Sequence, residues 1–578
     1  EIHFMAGLIL KDAYKQYTQD QDKVLPPRTT VARLREQLRR LKLDILRSTE
    51  RIDNGRLGIP VYLSRCGRDA AGVIGTRKQM GKGATPEQAE ASAVMELVER
   101  FSFFSFARGR DRFIRATFAE VRDRALPFEM IARSVHDASE ELPVSRRLFE
   151  QLPLKWAVAH NLTRNTECLV PFDWFYAINE FNGPSAGNCP EEAILQGICE
   201  VVERHVSSVV CRSRLQVPAI RASSPTDPAV RGLLAKYERC GIRLVLSDFT
   251  LDTGIPSVGV LAVDPATFPD RSEIVWTAGT TPSPEKALSR ALTEVAQLAG
   301  DFNTAARYVA SGLPKLRRLE EAAYITTPAV TLDLDRLPDL SHPNLRVEIE
   351  NCLQALSRRD FEVLVIETTH PELAVPAFYT IIPGAHFRER SRGTGVAMFC
   401  VKHLSENLAP AEAFDRLCDV DALLPGKYFV RFHMGLCRLK GGDPEAGLAL
   451  FRQALKLQPD PEEAPTIYSY LGVALKELGR YEEAQEVLRR GAELDPERTD
   501  IHNLMGFCHF KRGEHAQAVA AFQRVLELDP ASAIDHANLG VNYQALGDGE
   551  KAAACYRTAL SLDPGIEFAR RNLDSLGG

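Results

Sequence analysis

The 578-residue chain has no apolar run near the ~20 residues that a membrane-spanning helix requires. Its twelve cysteines include no C-x-x-C pair, so neither a zinc ribbon nor a disulfide framework is indicated. There is no excess of basic charge. The 71 Lys and Arg residues face 77 Asp and Glu, and the net charge of −6 argues against a general nucleic-acid binder. The first residues show no charged n-region followed by an apolar core, so no signal peptide is visible. HExxH and the kinase HRD set are missing. What is present is ordinary globular material, 45% hydrophobic and 26% charged, which excludes wholesale disorder. The length calls for several folded parts. The expected setting is the reducing cytoplasm, without nucleic-acid or membrane partners.

The last quarter repeats itself. Pro496, Pro530 and Pro564 recur every 34 residues, as do Gly472, Gly506 and Gly540, and Ala484, Ala518 and Ala552. Leu488, Phe522 and Tyr556 keep the same step, and a fourth copy with Gly435, Phe451, Ala454 and Pro459 precedes a three-residue insertion. Each copy reads as helix, glycine turn and helix, with proline stopping the second helix. Small residues between the helices let them approach closely. The pattern resembles the tetratricopeptide repeat, an array that binds partners on a concave surface and performs no chemistry itself.

The first 390 residues mix helices with β-like runs at 59–63, 242–246, 258–262 and 377–382, the pattern of an α/β or α+β enzyme-sized domain. Three helix starts share one punctuation: Thr85-Pro86-Glu87, Cys189-Pro190-Glu191 and Ser283-Pro284-Glu285. Proline at the first helical position and acids in the first turn are strong start signals. Six residues after each proline stand Ser92, Gln196 and Arg290; ten after, Glu96, Glu200 and Glu294; thirteen after, Glu99, Glu203 and Gln297. Carboxylates on one helix face repel unless a cation lies between them. Three matching helices therefore point to one site rather than three solvated faces. Oxygen ligands without accompanying His or Cys suit Mg²⁺ better than zinc. Magnesium implies phosphate, and Gly81-Lys82-Gly83 just before the first of these helices is the best glycine-rich candidate to meet it, although it is not a Walker loop. Cys189 and Cys199 read as a helix cap and a buried apolar residue rather than nucleophiles.

Together, Ser92-Ala93-x-x-Glu96-x-x-Glu99-Arg100, Ser185-Ala186-Gly187-Asn188 with Glu192, Glu200-x-x-Glu203-Arg204 and Arg290-x-x-x-Glu294-x-x-Gln297 resemble the nucleotide-binding signature of the YcaO family. The resemblance spans about residues 8–390. It implies an α+β domain that holds ATP through Mg²⁺ without a P-loop. By the resemblance, Glu96, Glu99, Glu200, Glu203 and Glu294 would hold metal. Ser92, Ser185, Asn188, Glu192, Arg204, Arg290 and Gln297 would contact nucleotide, with Lys11, Thr30 and Lys82 nearer the phosphates.

Family members use ATP to phosphorylate a backbone amide oxygen, giving an azoline by cyclodehydration or a thioamide with sulfide. One branch assists methylthiolation of a ribosomal protein. The chain ends in Leu576-Gly577-Gly578 without the proline-rich tail of azoline-forming members. The expected organisation is an α+β YcaO-like domain over 1–393, a linker over 394–424 and an all-α repeat solenoid of about four repeats over 425–578. The expected activity is post-translational modification of a peptide or protein recruited by the repeats. The alternative is a nucleotide-binding accessory scaffold. A homodimer is left open.

Overall fold

The computed structural model describes residues 8–75, 78–179, 182–302, 316, 318–387, 395–529 and 532–577. Pro530, one of the periodic prolines, lies outside them, as do Gly578 and the first seven residues. The chain divides into two units: Glu1–Ala138 with Glu150–Thr394, and Ser139–Phe149 with Gly395–Gly578.

The first unit is α+β. Leu46–Arg51, Val61–Cys66 and Lys78–Lys82 form an antiparallel three-stranded sheet. A five-stranded sheet runs Val275–Thr280, Ser257–Val263, Arg243–Asp248, Ala219–Ile220 and Thr331–Leu332, all pairs antiparallel except the last. A third sheet runs Ile114–Ala116, Leu154–Asn161, Leu364–Glu367, Ala377–Ile381 and Pro184–Ala186, with Thr166–Pro171 also paired to Leu154–Asn161. Every residue of Ser257–Val263 and Val275–Thr280 is buried, and the first of these is the apolar run read at 258–262.

Five helices position the site: α1 (Pro27–Leu41), α2 (Pro86–Arg108), α3 (Pro190–Ser213), α4 (Pro284–Ala299) and α5 (Leu345–Ser357). Helices α2, α3 and α4 begin at the three prolines read from the sequence. Thr85 Oγ1 accepts from Gln88 N, and Cys189 Sγ takes the same role toward Glu192 N. Cys189 is thus a cap, as the sequence indicated, whereas Ser283 makes no side-chain cap.

The glycine before the helix does something the sequence reading assigned elsewhere. A Cβ on Gly81 would lie 2.4 Å from Ala89 O and 2.0 Å from Ala93 N of α2. One on Gly279 would lie 2.2 Å from Ala287 O and 2.7 Å from Ala291 N of α4. Both glycines stand five residues before the helix-starting proline, and both contact the residues eight and twelve further on. They let a strand lie directly against the helix that follows. Gly81 is a packing device between the strand and the helix that follows it.

The second unit contains the repeats. Helix pairs Tyr428–Lys440 with Pro444–Lys456, Ala464–Glu477 with Tyr481–Leu494, Thr499–Lys511 with His515–Leu528, and Ala533–Ala545 with Gly549–Leu562 follow one another, and Glu567–Ser575 closes the series. In each pair a glycine receives the side chain sixteen residues on: Gly435 against Phe451, Gly472 against Leu488, Gly506 against Phe522, Gly540 against Tyr556. The turn glycine Gly479 has φ +71°, a backbone that costs an L side chain ~1–2 kcal/mol.

The segment expected as a linker is helical, with Val396–Asn407 and Pro410–Leu423 packed ahead of the first pair. Its proline, Pro410, starts a helix rather than interrupting one. The second unit also takes in residues from far upstream. Helix Leu142–Glu150 belongs to it up to Phe149, whose ring lies 6.2 Å from Phe399, and Glu141 pairs with Lys427. Local pattern cannot reveal that association, because the 250 intervening residues carry no mark of it.

Candidate functional site

Helices α2, α3 and α4 turn their matching faces into one cavity of about 250 Å³. Helix α2 contributes Ser92, Glu96, Glu99 and Arg100; α3 contributes Glu192, Gln196, Glu200 and Arg204; α4 contributes Arg290, Glu294 and Gln297. Lys82, Thr30 and Asn188 complete the wall, with Thr30 Oγ1 donating to Asn188 Oδ1 at 2.9 Å. Twelve of the fifteen side chains singled out from the sequence thus line one space.

Three do not. Lys11 is exposed, and its backbone N–H donates to Glu191 Oε1 at 2.6 Å. Ser185 is fully buried on Pro184–Ala186 under α3, its Oγ 3.5 Å from Phe378 O. Gly183-Pro184-Ser185-Ala186-Gly187 has the letters of a nucleophile elbow, but an elbow needs its serine exposed at the tip of a strand-to-helix turn. Glu203 lies behind the wall, where Oε2 accepts from Arg290 Nε at 2.7 Å and from Thr280 N at 3.2 Å. Its helical phase is right, but the side chain turns toward Arg290.

The site is crowded with both signs of charge. Lys82 is paired with Glu294. Arg100 lies 3.6 Å from Glu99 and 4.0 Å from Glu96. Burial pushes the Glu96, Glu99 and Glu200 carboxyls above the usual carboxylate range, and neighbouring arginines only partly offset it. Glu294 goes the other way. Burial opposes its charge, but Lys82, Arg204 and Arg290 bring its carboxyl down to about 2.

The donor set fits magnesium and phosphate together. Three buried carboxyls held above their ordinary pKa would be relieved by an added cation. Among the described residues, no three His, Cys, Asp or Glu side chains converge tightly enough to hold an ion by themselves. That suits Mg²⁺, which commonly takes one or two carboxylates and completes its shell with water and phosphate oxygens. Lys82, Arg100, Arg204 and Arg290 supply the anion-binding side.

Sequence reasoning missed Lys23, Gln21, Gln88 and Thr293, which also line the cavity. Lys23 arrives on a segment held by Glu192, whose Oε2 accepts from Val24 N at 2.9 Å. No periodic signal marks the irregular segment that carries Gln21 and Lys23, whereas Gln88 and Thr293 stand on α2 and α4 outside the shared offsets. Among the described residues no helix is long and apolar enough to cross a membrane, and the twelve cysteines are free thiols.

The YcaO cyclodehydratase model, described as ATP- and Mg²⁺-binding, matches residues 80–386, more than half of the chain. Tetratricopeptide-repeat models match 438–506, 499–532 and 533–566. An uncharacterized protein of Methanothermobacter thermautotrophicus is 31% identical over 363 residues, 59% of this chain and 90% of that protein. The ribosomal protein S12 methylthiotransferase accessory factor YcaO of Escherichia coli is 25% identical over 233 residues, 38% of this chain and 39% of that one. Among solved structures, a heterocyclase in complex with substrate and cofactor has a TM-score of 0.55 at 24% identity, over 66% of this chain and 55% of its own, a likeness of fold. The protein belongs to the YcaO family, with ATP and Mg²⁺ as its cofactors and a tetratricopeptide array following the family domain.

Proposed function

We propose that this protein activates a backbone amide of a peptide or protein for post-translational modification, with the repeats recruiting that acceptor. The observation carrying this reading is the cavity in which three like helices set carboxylates beside five cations. Bound ATP with Mg²⁺ supplies the phosphoryl group that converts an amide oxygen into a leaving group. Glu96, Glu99, Glu200 and Glu294 would hold the metal. Lys82, Arg100, Arg204 and Arg290 would neutralise phosphate charge, and Ser92, Thr30, Asn188, Glu192 and Gln297 would orient the nucleotide. Glu203 holds Arg290 in place from behind. Cys189, which caps α3, and Cys199, within it, supply no nucleophile, because burial pushes both thiols up to about 12. The acceptor or free sulfide therefore brings the nucleophile, giving an azoline or a thioamide.

Isotope tracing tests the reaction directly. Oxygen label placed in the peptide amide is expected to emerge in phosphate. Mg²⁺-dependent ATP binding with no transfer of label, across acceptors captured by the repeats, would instead favour an accessory role like that in the name of the Escherichia coli relative.

A further inference from the structure

Beside the nucleotide cavity lies a smaller chamber of about 40 Å³, closed by Cys199 of α3, Lys286 of α4, and Leu345 and Glu348 of α5. Gln21, Lys23, Glu192 and Gln196 line both spaces. Forty cubic ångströms exceeds the ~10–15 Å³ that one water needs, and the wall is polar enough to hold it.

Glu348 is the unusual group here. Its side chain is 1% exposed. Oε1 accepts from Lys15 Nζ at 2.5 Å and from His342 N at 3.0 Å. Oε2 is equally buried and has no hydrogen-bond partner among the described residues. The other acids are committed. Asp22 is tied to Lys15 at 2.8 Å, and Glu192 accepts from Val24 N, Asn188 N and Asn188 Nδ2. Lys286 is held by Thr18 O, Gln19 O and Asp227.

We propose that Glu348 is the proton acceptor of the amide-activating reaction, reached from the nucleotide cavity through water in the smaller chamber. This rests on the function proposed above. Addition of a thiol, hydroxyl or hydrosulfide to the amide carbon forms the C–X bond and releases the X–H proton, which passes to Glu348 Oε2. The C–O bond then breaks as the oxygen departs in phosphate, ATP being the phosphoryl donor. With a thiol or hydroxyl the amide N–H proton is lost in the same step and leaves on the phosphate, and Glu348 returns its own proton to solvent as the net proton of azoline formation; with hydrosulfide the amide keeps its N–H, and Glu348 passes the S–H proton on to the departing phosphate. The charges facing Glu348 are Lys15 and Asp22 of the N-terminal segment, Lys23, Glu192 of α3, and Lys286 of α4; Cys199 and Cys352 are thiols held protonated by burial. Burial pushes Glu348 up to about 7 against the pull of Lys15, which suits a group exchanging protons near neutrality.

The test is phosphate release by the full chain from Mg²⁺ and ATP, with synthetic peptides carrying Cys, Ser or Thr and with sulfide, between pH 5.5 and 9. The wild-type rate is expected to rise through one ionisation near neutral pH. Glu348→Gln removes that limb and lowers the stimulated rate ~100-fold, with ATP affinity unchanged because the nucleotide cavity is untouched. Lys15→Met, which removes the cation, moves the limb to higher pH and decides the matter where the Gln variant does not fold. An unchanged rate and limb in Glu348→Gln, or an unmoved limb in Lys15→Met, overturns the proposal while leaving amide activation standing. Absence of stimulation in the wild type with every probe fails the amide-activation reading, and the relay with it.

Discussion

Arg290 and Glu203 form a buried pair, Nε to Oε2 at 2.7 Å, and the same carboxylate oxygen accepts from the Thr280 backbone N–H. Arg290 faces the nucleotide cavity and Glu203 stands behind it. Two glutamates three residues apart on α3 therefore have different tasks. Glu203 organises an arginine, whereas Glu200 faces the cavity with its carboxyl pushed up by burial.

Replacing each by glutamine separates those tasks. Glu203→Gln leaves a buried guanidinium with its main partner gone, and breaking such a pair costs ~3–5 kcal/mol. The variant is expected to unfold at markedly lower temperature, with ATP binding lost as a consequence. Glu200→Gln removes a charge that burial already disfavours, so its melting temperature is expected to stay or rise while Mg²⁺-dependent ATP affinity falls. Thermal unfolding with calorimetric ATP titration of both variants reads the difference. Equal destabilisation of the two would return Glu203 to the same role as Glu200.

The helix Leu142–Glu150 sets a second expectation. Phe149 is fully buried, with Phe399 beside it, and Glu141 pairs with Lys427. Phe149→Ala is expected to destabilise the repeat-containing unit by ~3–5 kcal/mol, the range for emptying a buried phenylalanine site. A chain cut at residue 394 would leave that helix without these partners. Limited proteolysis should then cleave within 139–150, where the intact chain resists. Equal resistance in both would show that the helix is held by something else.

How much of this was legible in the sequence follows from what each feature depends on. The three proline-started helices and the 34-residue repeat are local patterns of caps, stops and periodic small residues, and both are found where the spacing puts them. The cavity was legible because one helix type is used three times, so equal offsets from proline meant equal faces. Glu203 escaped that logic because a correct phase does not say which way a long side chain turns when an arginine lies within reach. Lys23 and Glu348 escaped it because they depend on irregular segments and distant pairing. Gly81 carries a constraint that its neighbours in sequence do not reveal, a helix backbone eight and twelve residues away.

That constraint gives a third expectation. Gly81→Ala and Gly279→Ala would each drive a Cβ to within 2.2 Å of helix backbone, which cannot rotate aside. Each is expected to cost at least ~1–3 kcal/mol by overpacking and to weaken ATP binding by displacing α2 or α4. Gly232, inside helix Pro228–Arg239, has nothing within 4 Å of the corresponding position. Gly232→Ala should stabilise by up to ~1 kcal/mol, as helix propensity dictates. Denaturant unfolding of the three variants, with Gly232→Ala as control, distinguishes a packing role from a general intolerance of substitution.

The final expectation concerns acid. His433, on Tyr428–Lys440, is buried, and its Nδ1 lies 2.7 Å from Ser405 Oγ on Val396–Asn407. Burial, with Lys402 and Lys440 adding like charge, brings the imidazole from 6.5 down to about 3. The folded ring is neutral at any pH where the unfolded ring, titrating near 6.5, has begun to take up a proton. Between those two values the unfolded state binds one proton more than the folded state. The stability His433 contributes is therefore fully present above 6.5 and declines as pH falls toward 3, at up to ~1.4 kcal/mol per pH unit. His433→Gln keeps a polar side chain that does not titrate. Its stability at pH 7.5 is expected to be lower than that of the wild type, and the gap should narrow steadily as the pH is taken from 6.5 to 4.5. Denaturant unfolding of the second unit's helices, followed by circular dichroism across that range, measures the gap directly. A gap independent of pH would mean that the folded imidazole takes up its proton at the same pH as the unfolded one, so that burial does not hold it neutral.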